Sequence, residues 1–138
     1  MNEWIEQLIG KALEAKNYSY SPYSGFQVGA ALLTKEQQIF TGCNIESASY
    51  TPTNCAERTA FFKAISEGSM NFKAIAIVGG QKEAENVMAY PCGVCRQVMA
   101  EFCDPKDFLV IVAKSQKEYK SYRLEELLPY SFGKEQLS

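Results

Sequence analysis

Cys55, Cys92 and Cys95 offer three thiolates, and Glu57 follows the first of them at a distance of two residues. They lie in two short segments, Thr53-Asn54-Cys55-Ala56-Glu57-Arg58 and Pro91-Cys92-Gly93-Val94-Cys95-Arg96. Three thiolates suit a zinc ion, and three protein ligands leave a tetrahedral ion one open position where water can bind and be activated. A fourth cysteine would point instead to a closed structural site. An acid beside an open position points to hydrolysis.

Each residue alone has a plainer reading. C-x-x-C can be a thioredoxin-like redox pair, although here a third cysteine starts a separate helix. Cys55 alone reads as a buried small hydrophobe. Glu57 reads as an acid favoured by a helix N-terminus, and Arg58 as a solvated charge. The combination of C-x-E with a later P-C-x-x-C favours a zinc site over all of these. Cys43 and Cys103 lack partners at ligand spacing and are expected in the core.

The elements that must position these residues follow from periodicity. Trp4, Ile5, Leu8, Ile9, Ala12 and Leu13 recur at helical spacing. Residues 18–25 carry Ser, Pro and Gly and read as a loop. Residues 26–34 and 38–44 read as strands joined by a short turn. A helix is predicted from about Asn54 to Gly68, a buried strand over 72–78, and a second site helix from Pro91 or Cys92 to about Cys103. Strands over 108–113 and 118–122 and a short helix over 124–128 complete the chain. Right-handed crossovers would make the strands of the two strand–helix–strand passages parallel. The predicted architecture is α/β: a three-layer α/β/α sandwich around a mixed five-stranded sheet. Both cysteine motifs then sit at helix N-termini, whose partial positive charge favours thiolates. Cys92 and Cys95, three apart, share one helix face.

Composition narrows the function. The 138 residues read as one domain, 1–138, with 46% hydrophobic and 22% charged residues, ordinary for a packed globular chain. A net charge of −2 argues against nucleic acid as a partner, because phosphate-tracking surfaces are basic. The longest apolar runs are too short to span a bilayer, so no membrane association is expected. Glu3 and Glu6 interrupt the N-terminal apolar positions, so no secretory signal is expected. Five cysteines fit metal chemistry better than a disulfide scaffold, and the expected compartment is cytoplasmic.

Cys55-Ala56-Glu57 with Pro91-Cys92-Gly93-Val94-Cys95 resembles the signature of zinc nucleoside and nucleobase deaminases. Most such families use histidine as the first ligand, and this chain has none. The all-cysteine version is similar to the small homotetrameric cytidine deaminases of the cytidine/deoxycytidylate deaminase superfamily. The likeness continues through Pro22-Tyr23-Ser24, Phe26-Gln27-Val28-Gly29-Ala30, Gly42-Cys43-Asn44-Ile45-Glu46 and Glu125-Glu126-Leu127-Leu128-Pro129.

The resemblance implies one zinc per subunit on Cys55, Cys92 and Cys95, with Glu57 as the catalytic proton shuttle. It implies that Arg58 donates hydrogen bonds to ligand sulfurs, and losing a donor of that kind costs about 10–100-fold. Phe26 would contact the pyrimidine, Asn44 and Glu46 the sugar hydroxyls, the Ala56 N–H the base carbonyl, and the Pro91 carbonyl the leaving amine. Tyr50 and Phe132 resemble residues that reach a neighbouring subunit's pocket in a homotetramer, although Phe132 could instead patch its own domain. The implied activity is hydrolytic deamination of cytidine and deoxycytidine in pyrimidine salvage. A deaminase acting on an aminonucleoside antibiotic or free base, an RNA-editing deaminase and a non-enzymatic zinc module are the alternatives. The polar 80–90 segment adjoins the site and leaves access and selectivity open.

Overall fold

Alternation of side chains along three central strands decides how the chain layers. The computed structural model describes residues 2–137. Its elements run α1 (Glu3–Lys16), β1 (Phe26–Thr34), β2 (Ile39–Cys43), α2 (Ala56–Ser66), β3 (Phe72–Gln81), α3 (Gly93–Phe102), β4 (Leu109–Ala113), β5 (Tyr119–Arg123), α4 (Leu124–Leu127) and a terminal 3-10 turn, Lys134–Leu137. The sheet order is β2-β1-β3-β4-β5. Successive strand residues point to opposite faces. Ala30, Leu32, Ile75, Ile77, Val110 and Val112 therefore pack with α2, α3 and α4. Ala31, Leu33, Ala74, Ala76, Val78 and Ile111 pack against Ile5, Leu8, Ile9 and Ala12 of α1. Both faces are covered, which makes the expected three-layer α/β/α sandwich.

The sheet is mixed as expected. β3 and β4 pair in parallel, Ala74 opposite Leu109, while β1 pairs antiparallel with both β2 and β3. β2 and β3 thus run in the same direction but are separated by β1. The largest difference from the sequence reading is β3, which continues through Gly79 and Gly80 to Gln81. Glycines normally weaken a strand, but here Phe26, Gln27 and Val28 of β1 supply ladder partners opposite Gln81, Gly80 and Gly79. The polar segment therefore begins about two residues later than expected. Among the described residues no helix is long and apolar enough to cross a membrane.

The sheet also sets where α2 begins. A Cβ on Gly42 would lie 2.4 Å from the Ala56 carbonyl oxygen, so only glycine lets the first turn of α2 rest on β2. At its midpoint Phe61 is fully buried, with Phe72 at 5.0 Å and Phe108 at 5.9 Å between ring centroids. The start and the middle of α2 are thereby pinned, and the residues on its first turn inherit that placement.

Candidate active site

Cys55 is the N-cap of α2 and Cys92 the N-cap of α3, both in extended backbone conformation. Neither thiol accepts a capping hydrogen bond from the backbone of its own helix. They turn instead toward one another: the Cys55 and Cys92 Sγ atoms are 3.7 Å apart, and Cys92 lies 3.4 Å from Cys95 in the first turn of α3. All three sulfurs fall within 4.8 Å, the only such group of potential metal ligands among the described residues. Cys43 and Cys103 stand apart from it, both half-buried, with Cys103 packed against the larger core and its thiol pushed up by burial.

The donor set fits zinc. A tetrahedral ion with Zn–S bonds of about 2.3 Å spaces its sulfurs about 3.8 Å apart, close to the separations observed. The electrostatics agree. Cys55 is pulled down to about 5, first by a hydrogen bond from the Cys95 thiol and then by Arg58, against the opposing effect of burial. Cys95, the donor in that bond and itself buried, is pushed up. A divalent cation shared by the three sulfurs resolves this competition by stabilising every thiolate at once. Arg58 Nη2 donates to Cys55 Sγ at 3.4 Å and its charge also faces Cys95.

Glu57 sits on the first turn of α2 and is only 4% exposed. Burial pushes its carboxyl up to about 7; the Cys55 thiolate adds to this, while its own backbone N–H and Arg58 oppose it. A carboxyl poised near neutrality can both accept and return a proton. It faces a cleft of about 330 Å³ lined also by Cys55, Cys92, Ala56, Phe26, Asn44 and Glu46. Four elements and their loops thus bring eight of the expected residues, counting buried Cys95, into one neighbourhood.

Several side chains are more committed than the sequence indicates. Asn44 Oδ1 accepts from the Val28 N–H and the Ser19 hydroxyl, and Nδ2 donates to the Phe26 carbonyl. One N–H remains, so Asn44 can offer a ligand a donor and little else. Glu46 Oε1 accepts from the Tyr23 and Ser24 amides, while Ser24 Oγ donates to Oε2. Those bonds, led by the Ser24 hydroxyl, hold its carboxyl below the usual range. Pro91 is buried, and its carbonyl accepts from Arg96 Nε at 2.7 Å, which leaves one lone pair. Arg96 Nη1 donates to the Leu127 carbonyl at 2.7 Å, tying the Cys92 turn to α4.

Tyr50 and Phe132 do not line this cleft. Tyr50 is 76% exposed and borders a hollow that shares Glu46 and Thr53 with it, whereas Phe132 is 59% exposed, its carbonyl accepting from Gln97 of α3. Asn54 and Ile77, which the sequence reading missed, also line the cleft, as do Val87, Met88, Ala89 and Tyr90 of the 80–90 segment, which it placed beside the site without naming a residue. Asn54 exchanges two backbone hydrogen bonds with Ile45, both 2.9 Å, so it locks the 44–46 segment beside α2. Its only sequence signal is adjacency to Cys55. Ile77 carries none.

Comparison with known proteins agrees with this geometry. Residues 2–112 match the family described as the cytidine and deoxycytidylate deaminase zinc-binding region. The chain is 46% identical over 134 residues to a cytidine deaminase of Sporosarcina psychrophila, covering 97% of this chain and 95% of the relative. It is 48% identical over 133 residues to one of Halalkalibacterium halodurans, covering 96% and 97%. A crystal structure of cytidine deaminase from Burkholderia pseudomallei superposes with a TM-score of 0.81 at 43% identity, covering 91% of this chain and 97% of that one. The chain therefore belongs to the cytidine and deoxycytidylate deaminase family.

Proposed function

We propose that this chain is a zinc-dependent hydrolase that converts cytidine and deoxycytidine to uridine and deoxyuridine with release of ammonia. The observation that carries this reading is a buried carboxyl, Glu57, facing the same cleft as a cluster of three thiols spaced for a tetrahedral ion. Near-complete coverage of relatives described as cytidine deaminases supports the substrate.

In this reading Cys55, Cys92 and Cys95 hold one zinc per subunit, which when bound supplies the Lewis acidity that makes water a nucleophile near neutral pH. Glu57 accepts the proton of the attacking water, delivers it to pyrimidine N3, and then helps protonate the departing amine. The Ala56 N–H holds the base carbonyl, and the free lone pair of the Pro91 carbonyl accepts from the amine. Phe26 gives the ring apolar contact. Asn44 donates to a sugar hydroxyl and Glu46 accepts from one. Arg58 withdraws charge from the sulfurs, which offsets the surplus negative charge of three thiolates on a divalent ion.

The proposed unit is a single catalytic domain over 1–138, working in pyrimidine salvage in the cytoplasm. A homotetramer is proposed, in which exposed Tyr50 and Phe132 enter a neighbour's site. The test is ammonia release measured for cytidine, deoxycytidine, cytosine, adenosine and a cytosine-containing oligonucleotide. Turnover of the first two is expected; no release from cytidine would overturn the reading.

A further inference from the structure

We propose that Asn86 is a positioning residue that clamps the 82–90 segment into a preset wall of the cleft and thereby sets which substituted nucleosides it admits. The inference rests on reading this cleft as the nucleoside site. Val87, Met88, Ala89 and Tyr90 line it, yet they lie on a segment with no helix or strand of its own. Such a segment is ordinarily mobile, so something must hold it for the wall to have a shape.

Asn86 supplies the hold from three directions. Lys16 Nζ, at the end of α1, donates to Asn86 Oδ1, and Asn86 Nδ2 donates to the Lys114 carbonyl at 3.0 Å. Lys114 follows the last residue of β4, so one half-buried amide joins a helix end to a strand end. Beneath it the backbone lies against β3: a Cβ on Gly80 would come within 2.9 Å of both Asn86 Cα and the Glu85 carbonyl oxygen. The next residue completes the anchor, because the Val87 N–H donates to the Gly79 carbonyl at 2.8 Å. The wall then reaches the base-contacting residue. A Cβ on Gly79 would lie 2.9 Å from Ala89 Cβ and 3.1 Å from Phe26 Cε2, so Ala89 and the Phe26 ring converge over Gly79. Asn86 touches none of the cleft itself. Its effect on substrate passes through Val87 and Ala89.

Zinc-loaded Asn86→Ala and Lys16→Met variants test this. Both are expected to keep one zinc per chain and near-normal kcat for cytidine, while KM rises about three- to tenfold, the scale of one or two lost hydrogen bonds. Because both act through one amide, the double variant should be no worse than Asn86→Ala alone. The selective readout is kcat/KM for cytidine relative to 5-methylcytidine. A loosened wall should narrow that ratio by about threefold or more, and the Val87 amide should exchange faster with solvent. An unchanged ratio, with both substrates losing in proportion, would overturn the proposal, as would additive effects in the double variant or loss of zinc. Should Asn86→Ala fail to fold, Lys16→Met carries the same ratio test. Wild-type turnover of cytidine checks the underlying reading separately, so the two can fail independently.

Discussion

At the scale of single residues, the position of Glu57 decides most of the chemistry. A glutamate at a helix N-terminus is ordinarily solvated, but this one is enclosed beside a thiolate, and burial raises it to about 7. Glu57→Gln keeps the shape and removes the proton, so zinc content and nucleoside binding should persist while turnover falls by at least about 10²–10⁴-fold. Near-normal turnover would remove Glu57 from the mechanism. The same variant gives a stability signature in metal-free protein. A carboxyl whose folded value lies above its ordinary 4.5 stabilises the fold below about 4.5 and loses that contribution as pH rises through about 7. Glu57→Gln should therefore match the parent in acid and become the more stable by about 3 kcal/mol above neutrality. Denaturant melts of both proteins from pH 4 to 8 would show a constant difference if Glu57 were not buried in solution.

At the scale of elements, the site depends on how firmly α2 and α3 are seated. Cys55 caps α2 and Glu57 rides on its first turn, and the middle of that helix is fixed by Phe61 between Phe72 and Phe108. Phe61→Ala should cost about 3–5 kcal/mol, since the three-ring cluster cannot collapse into the space. At temperatures where the variant stays folded, zinc stoichiometry should be retained, because Gly42 holds the N-terminal turn of α2 against β2 independently. Calorimetry with metal analysis checks both; loss of zinc in the folded variant would mean that the N-terminal turn has no anchor of its own. On α3 the corresponding anchor is Arg96, whose guanidinium joins the Pro91 and Leu127 carbonyls. That contact places the chain's C-terminal part within one side chain of the metal turn.

At the scale of the whole molecule, the exposed aromatic residues bear on assembly. Tyr50 and Phe132 are largely solvent-facing in one chain, and Tyr50 borders a hollow shared with the cleft through Glu46 and Thr53. If neighbours complete the site, an isolated chain has a wetter cleft in which water screens the charges that stabilise the reaction. Specific activity should then fall on dilution together with the sedimentation coefficient, and Phe132→Ala should raise KM or lower kcat at unchanged zinc content. A monomer with full specific activity would overturn the proposed role of the neighbour.

Much of this was legible in the residues alone, because the informative parts are local. A C-x-E beside P-C-x-x-C names a metal chemistry and a proton carrier within a few positions each, and apolar periods of two and 3.6 name strands and helices. Cys55 and Cys92 at helix starts follow from the same local rules. Convergence does not, since it depends on strand order and on contacts between residues far apart in the chain. Only the folded chain shows Asn44 already spending three of its hydrogen bonds on Ser19, Phe26 and Val28. Only there is the Pro91 carbonyl shared with Arg96, and β3 drawn out to Gln81 by its partner β1. The clamp on the 82–90 segment is of the same kind. Nothing near Asn86 in the chain announces Lys16 or Lys114, which lie 70 and 28 residues away. Side-chain chemistry is a property of residue type and near neighbours. What each group still has free to offer a ligand is set by tertiary contacts, because every hydrogen bond made within the fold removes one from the site.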